Sequence, residues 1–269
     1  MKHLAPTILC IGDSITAGYP YNEPFTFLPW APLIEEPNVP WSYILHTRLP
    51  GWVILNIGVS GNTSGSMGSP PSRGVPRDVL SEFTAYLNGT LPALPSGQTY
   101  YHPDYVVFMG GVNDINHFYL DGSYPPVGDP VAFVTGNIES ICDLAVANGI
   151  IPVCCTTTPF VEVAYEGGEQ MYIDAVNGIN SWLTAYTAAN GFNLIDFYDV
   201  LEDPANLGHI NPALSADGIA HPNVTGYSLM GNAINLDFFE TDFVIEHLTA
   251  VFEIKQSFTI PVGYMALNV

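Results

Sequence analysis

Positive charge is what this chain most lacks: five Lys and Arg stand against 26 Asp and Glu in 269 residues, a formal net charge of -21. A surface this acidic repels phosphate backbones and anionic lipid headgroups, which argues against nucleic acid and polybasic membrane docking. The acidic residues are scattered, so the charge reads as a solubility trait and not as an interaction tail. Cysteine is scarce too. Cys10, Cys142, Cys154 and Cys155 lie in apolar segments with no C-x-x-C spacing, which predicts buried free thiols and excludes a disulfide framework. None of the seven histidines forms an H-x-H or H-E-x-x-H cluster, so no metal and no cofactor is expected. No uninterrupted apolar run has the roughly 18 residues of a membrane-spanning helix, and no integral membrane segment is expected. "APTILCIG" begins too soon after Met1 for a signal peptide and reads as a core strand. The default expectation is a cytoplasmic protein; with a leader ahead of this sequence, "NGT" at Asn88 becomes a glycosylation acceptor.

Apolar residues, in contrast, make up 48% of the chain, enough for the core of one large α/β domain. Five continuously apolar runs, "TILCIG" (7–12), "WVILNIG" (52–58), "DYVVFMG" (104–110), "IIPVCCT" (150–156) and "FNLIDFY" (192–198), suit strands buried on both faces. Longer helical patterns alternate with them, which predicts a parallel sheet wrapped by crossover helices. One helix follows Asp129 as N-cap and Pro130 as first residue and stops at Gly149, another spans about 169–190, and the last begins near Pro222. In that last helix Gly226 and Gly231 allow close packing.

Two stretches break the alternation. Residues 19–41 hold six prolines among many aromatics, too apolar for a linker and too broken for a helix, and are expected to form a folded surface loop beside the strand ends. Residues 250–260, "AVFEIKQSFTI", alternate apolar and polar and predict a half-buried strand beyond the core. The chain is therefore divided into a main domain, 1–236, and a C-terminal β extension, 237–269, that covers the domain or joins a second copy into a homo-oligomer.

In an open parallel sheet, ligands bind beyond the carboxyl ends of the strands. The first strand ends in "GDSIT", the second in "NIGVSGN" and the third in "GGVND", and "DGIAHPN" follows the fifth. Together these stretches supply a hydroxyl, backbone N–H groups beside glycine, a side-chain amide and an Asp/His pair. A serine hydroxyl becomes nucleophilic when a histidine takes its proton and a carboxylate steadies that histidine, and acyl transfer needs donors aimed at the developing oxyanion.

On these residues the sequence resembles the SGNH hydrolase superfamily, also called GDSL esterases and lipases. Its four blocks are matched by Ser14, Gly61, Asn113 and His221, and the similarity spans about residues 7–236. The resemblance implies a flavodoxin-like three-layer α/β/α fold. It also implies Ser14 as nucleophile, His221 as general base, and an oxyanion hole of the Ser14 and Gly61 backbone N–H groups with the Asn113 side chain. Members of this superfamily usually carry the triad aspartate three residues before the histidine, where this chain has Gly218; Asp217, four before, is the favoured acid, with Asp199 and Asp203 as alternatives. Asp13 and Asp114 are expected to brace their turns through Asx-type hydrogen bonds.

The mechanism serves esters and thioesters alike, and specificity is expected to reside in 19–41, 63–74, the turn 115–128 and 157–169. A small-molecule or glycan ester with a short acyl group is the expected substrate. The alternatives are a lipase, lysophospholipase or thioesterase with a longer acyl tunnel, and a non-catalytic carbohydrate-binding or assembly protein on an esterase-like scaffold.

Overall fold

The computed structural model describes residues 5–18, 40–67, 78–91, 101–119, 128–161 and 168–239, with the backbone of 25–27. The five apolar runs form the parallel strands β1 (Thr7–Gly12), β3 (Val53–Asn56), β4 (Tyr105–Met109), β5 (Ile151–Cys155) and β6 (Asn193–Ile195). A short sixth strand, β2 (Phe25–Phe27), pairs antiparallel with β3 at the edge. It corrects the reading of 19–41 as loop throughout: its three residues are too few to show a period between prolines. The order is β2-β3-β1-β4-β5-β6, so the parallel strands follow the flavodoxin-like arrangement, with the direction of winding reversing beside β1.

The strands run as continuous apolar segments because both faces are covered. Right-handed crossovers place helices on opposite sides when the winding reverses. Thus α3 (Val79–Leu87), α4 (Val112–Tyr119), α5 (Pro130–Ala147) and α6 (Glu169–Asn190) pack among themselves, while α2 (Trp41–Arg48), α7 (Phe197–Leu201) and α8 (Val224–Ala233) form the other layer. The ends of α5 follow local chemistry: the Asp129 side chain accepts from the Val131 N–H, Pro130 takes the first turn, and Gly149 adopts φ +70°. This helix has the length and mean hydropathy of a membrane span, a property missed by looking only for unbroken apolar runs. Its Val134, Ile138, Ile141, Cys142 and Ala145 are buried in the core, as in the core helix of a globular domain.

Arg48, at the end of α2, donates to the carbonyl of Ile234 at 2.9 Å and also to that of Gly231, satisfying the open end of α8. Beyond α8 a 3-10 helix (Leu236–Phe239) brings Phe239 edge-on to Tyr105 and Trp52, so the main core continues three residues past the expected boundary at 236. The alternating segment 250–260 lies outside the described residues. All four cysteines are free and buried.

In the second layer α8 comes up against α2 at Gly231. A Cβ there would stand 2.4 Å from the Cβ of Ile44 and 2.8 Å from the carbonyl oxygen of Trp41. Gly231→Ala gains about 1 kcal/mol in helix propensity but overpacks this seam. A net loss of about 2 kcal/mol is expected in denaturant unfolding; a variant as stable as the parent shows that the helices can separate freely.

Candidate active site

The site is assembled on one edge of the sheet. β1 passes directly into the one-turn helix α1 (Ser14–Ala17), a path that glycine alone permits at position 12. A Cβ there would lie 2.2 Å from the Met109 carbonyl oxygen on β4 and 2.3 Å from Thr16 Oγ1. Asp13 caps the turn, its Oδ1 accepting from the Ile15 N–H at 2.9 Å, and Ser14 follows as the first helical residue, 5% exposed.

Ser14 Oγ lies 2.8 Å from His221 Nε2, although the two residues are 207 apart in the chain. On the other side of the ring, His221 Nδ1 is hydrogen bonded to Asp217 Oδ2. The longer spacing between Asp217 and His221 is absorbed by a tight loop. Gly218 takes φ +76°, the Ala216 N–H donates to the His221 carbonyl at 2.7 Å, and Ser215 Oγ accepts from the Gly218 N–H at 2.7 Å. Asp217 Oδ1 accepts the N–H groups of Ile219, Ala220 and His221 at 2.8, 3.0 and 3.2 Å. Its other oxygen is thereby turned to the imidazole. Of the alternatives, Asp199 is exposed on α7, and Asp203 accepts from the Ala205 N–H at 3.0 Å.

The loop after β3 begins as a continuation of the sheet, with the Ile57 and Val59 N–H groups donating to the carbonyls of Cys10 and Gly12, both at 3.0 Å. Asn56, buried, anchors it to α1: its Nδ2 donates to the Thr16 carbonyl at 2.6 Å, and its Oδ1 accepts the Gly58 N–H at 3.0 Å. A turn then closes from the Asn62 N–H to the Val59 carbonyl at 3.1 Å. Gly61, third in that turn, takes φ +83°, a conformation open to glycine at little strain.

Asn113 reaches this loop from the first turn of α4, its Nδ2 donating to the Asn62 carbonyl at 2.9 Å. An amide nitrogen carries two hydrogens, so the second remains for a ligand. Asp114 does not make the expected local turn bond. Its carboxylate accepts the Ser64 N–H at 2.9 and 3.0 Å and the Ser64 hydroxyl at 2.7 Å, because helix α4 begins inside the "GVND" stretch and points the side chain across to the loop. Asn137 of α5 donates to the same hydroxyl at 3.0 Å. Residues 115–119 thus belong to a helix and not to a turn.

The sequence reading assigned no role to Asn56, Asn62, Ser64, Asn137 or Glu82. A polar Asn56 closing an apolar strand was a usable signal; the others show themselves only through partners distant in the chain. Of the expected pocket walls, 19–24, 28–39, 68–74, 120–127 and 162–167 lie outside the described residues. Among the described residues no cluster of His, Cys, Asp and Glu could hold a metal ion.

The carboxyls divide by environment. Burial pushes Asp13 up to about 6, opposed by the Ile15 N–H and by the charge of His221. Burial likewise raises Asp114 to about 7 despite its bonds from Ser64. For Asp217, of which 26% is exposed, partial burial acts upward, but the His221 bond and three backbone N–H groups prevail and hold it below the ordinary range.

The chain belongs to the GDSL-like Lipase/Acylhydrolase family, whose profile matches residues 10–229. It is therefore a carboxylic ester hydrolase. No curated protein matches it by sequence. Solved structures similar to it include a GDSL-like lipase from Bacteroides thetaiotaomicron, 21% identical with a TM-score of 0.54 over 84% of each chain. A carbohydrate acetylesterase from Sinorhizobium meliloti is 17% identical with a TM-score of 0.52, covering 92% of this chain and 100% of its own. An acetylxylan esterase from Geobacillus stearothermophilus is 16% identical with a TM-score of 0.53, covering 85% and 91%. At these identities the likeness is one of fold, and it agrees with the three-layer α/β/α architecture described above.

A carboxyl whose folded pKa is raised stabilises the fold below its ordinary pKa and loses that contribution as pH rises through the folded value. Asp13 and Asp114 therefore favour the native state near pH 4 and lose that contribution toward about 7. The depressed Asp217 acts oppositely, its contribution being lost as pH falls below the ordinary carboxylate range. The melting temperature is expected to peak near about pH 4 and to drop by several degrees toward about pH 8. A profile rising steadily to pH 8 contradicts the assignment of these burial effects.

Proposed function

We propose that the chain is a serine esterase in which Ser14 is the nucleophile, His221 the general base and Asp217 the acid that orients it. The observation that carries this reading is the unbroken series from Ser14 Oγ through His221 to Asp217. Ser14 Oγ bonds to the ester carbonyl carbon while its proton passes to His221 Nε2. Asp217 accepts the Nδ1–H, which fixes the tautomer and offsets the imidazolium charge. The carbonyl oxygen becomes an oxyanion, received by the backbone N–H groups of Ser14 and Gly61 and the second N–H of the Asn113 amide. Collapse breaks the ester C–O bond, and His221 returns its proton to the leaving alcohol. Water then gives a proton to Nε2, its oxygen attacks the acyl carbon, and the carboxylic acid leaves as Ser14 recovers its hydrogen.

The substrate proposed is a short acyl ester, of acetyl type, on a soluble alcohol such as a glycan hydroxyl. Two structurally similar proteins, the acetylesterases named above, remove acetyl groups according to their names, an analogy of fold and not of pocket. The excess of acid over base also disfavours an anionic lipid interface, where a longer-chain lipase works. A purely binding scaffold has no use for a serine held on a carboxylate-backed histidine.

Hydrolysis of p-nitrophenyl acetate, butyrate and decanoate tests both levels. The acetyl ester is expected to give the highest kcat/KM. Ser14→Ala is expected to abolish turnover, and Asp217→Asn to lower kcat by roughly 10⁴-fold. Preference for decanoate replaces the short-acyl reading with the lipase or thioesterase one; activity that survives Ser14→Ala removes the nucleophile assignment.

A further inference from the structure

Behind the Gly61 loop, on the side away from Ser14, lies a carboxyl that the proposed acyl transfer does not use. Glu82 sits in the first turn of α3 and is 1% exposed. Its Oε2 accepts from Asn62 Nδ2 at 2.7 Å, while its Oε1 is buried without a hydrogen-bond partner among the described residues. Asn62 is itself 1% exposed and turns its carbonyl to Asn113 Nδ2 at 2.9 Å. Two hydrogen bonds thus lead from Glu82 through Asn62 to the side-chain donor of the oxyanion hole, and Asn62 adjoins Gly61, which supplies a backbone donor. The start of α3 is bonded to the same loop: the Val79 and Leu80 N–H groups donate to the carbonyls of Thr63 and Ser64 at 2.9 and 3.2 Å.

We propose that Glu82, acting through Asn62, is a positioning residue that sets the donor geometry of Asn113 and Gly61 and makes acyl transfer sensitive to alkaline pH. The proposal rests on the reading of those two residues as oxyanion donors.

A carboxylate with a single protein donor is costly in an apolar interior, whereas the protonated acid is tolerated there. Burial pushes Glu82 up to about 9, the Asn62 bond acting downward and the charge of Asp78 upward. Among the described residues, the groups around it add no positive charge. Asp78 caps its own helix, its Oδ1 accepting the Ser81 N–H at 2.7 Å. Asp114 of α4 and Asp13 beyond β1 are acids held on the same loop and its neighbour, and Cys10 on β1 is a buried thiol raised by desolvation. From α5 comes the neutral Asn137, while Glu139 and Asp143 are exposed and directed to solvent. Among the described residues the only Lys or Arg is Arg48, in the opposite layer. At neutral pH Glu82 therefore places an uncharged acceptor behind the oxyanion hole. Loss of its proton places a buried negative charge there, which opposes the negative charge that develops on the substrate oxygen.

The test compares the purified protein with Glu82→Gln and Glu82→Ala, measuring kcat and KM for p-nitrophenyl acetate from pH 6 to 10 with circular dichroism at each pH. At pH 7 the Ala variant is expected to lose at least about tenfold in kcat with KM nearly kept, as for a displaced donor. Glu82→Gln, which keeps a neutral acceptor for Asn62, is expected to restore most of that loss. The parent kcat is expected to fall across about pH 9 with the fold intact, and the Gln variant to lack that fall. An alkaline fall equally present in Glu82→Gln, or an Ala variant with the parent kcat, overturns the proposal. Asn113→Ala separates the two levels: if it leaves kcat intact, the oxyanion reading itself fails, whereas a large loss there beside indifferent Glu82 variants refutes only the role of Glu82.

Discussion

The fold has to satisfy one demanding contact, the hydrogen bond between Ser14 and His221, which closes a separation of 207 residues. No local structure can hold two such distant groups at 2.8 Å. The sheet can, because its five parallel strands enter from the same side and leave their loops on the same edge. β1 lies in the middle of the order, so the turn carrying Ser14 faces the loops of β3 and β4 on either side. The last helix then folds back on α2, which returns the segment ahead of it, with His221, to that edge. Gly12 and Gly231 are two places where this arrangement is tight, and at both a single added carbon meets backbone.

How much of this was legible in the sequence depended on whether the physics was local. Strands buried on both faces leave an apolar run, and a capped helix leaves Asp-Pro at one end and Asn-Gly at the other, so the parallel strands and α5 could be read directly. β2 could not, since three residues between prolines carry no periodicity. Nor could α4, whose first turn is the motif itself, so that "GVND" looks like a turn while already being helix. The site residues were legible as a set of four blocks at strand ends, but their supports were not. Asp114 finds its partner 50 residues away in Ser64, and nothing in "LSEF" announces that Glu82 is buried, because an acid in a helix is ordinarily solvated.

The irregular spacing of Asp217 and His221 shows where a motif and its geometry part. What the imidazole requires is a carboxylate oxygen at Nδ1, and a loop of either length can supply it. Here Gly218 turns the backbone through a left-handed conformation and Ser215 gathers the N–H groups left over. Ser215 is thus part of what holds the pair together.

Four carboxyls lie at or beneath the site, and their surroundings sort them by task. Asp13, Asp114 and Glu82 are buried with few donors each and are displaced upward; the first two brace backbone and Glu82 the Asn62 side chain, at some cost to stability. Asp217 lies nearest to solvent, where an ionised group is least expensive, and it gathers three backbone N–H groups before meeting the histidine. The proposed mechanism needs a charge that stays in place while the imidazole gains and gives up a proton. A buried acid near its own titration point would exchange protons with its neighbours instead of steadying them. That difference in environment singles out Asp217 among the acids on this edge, independently of any motif spacing.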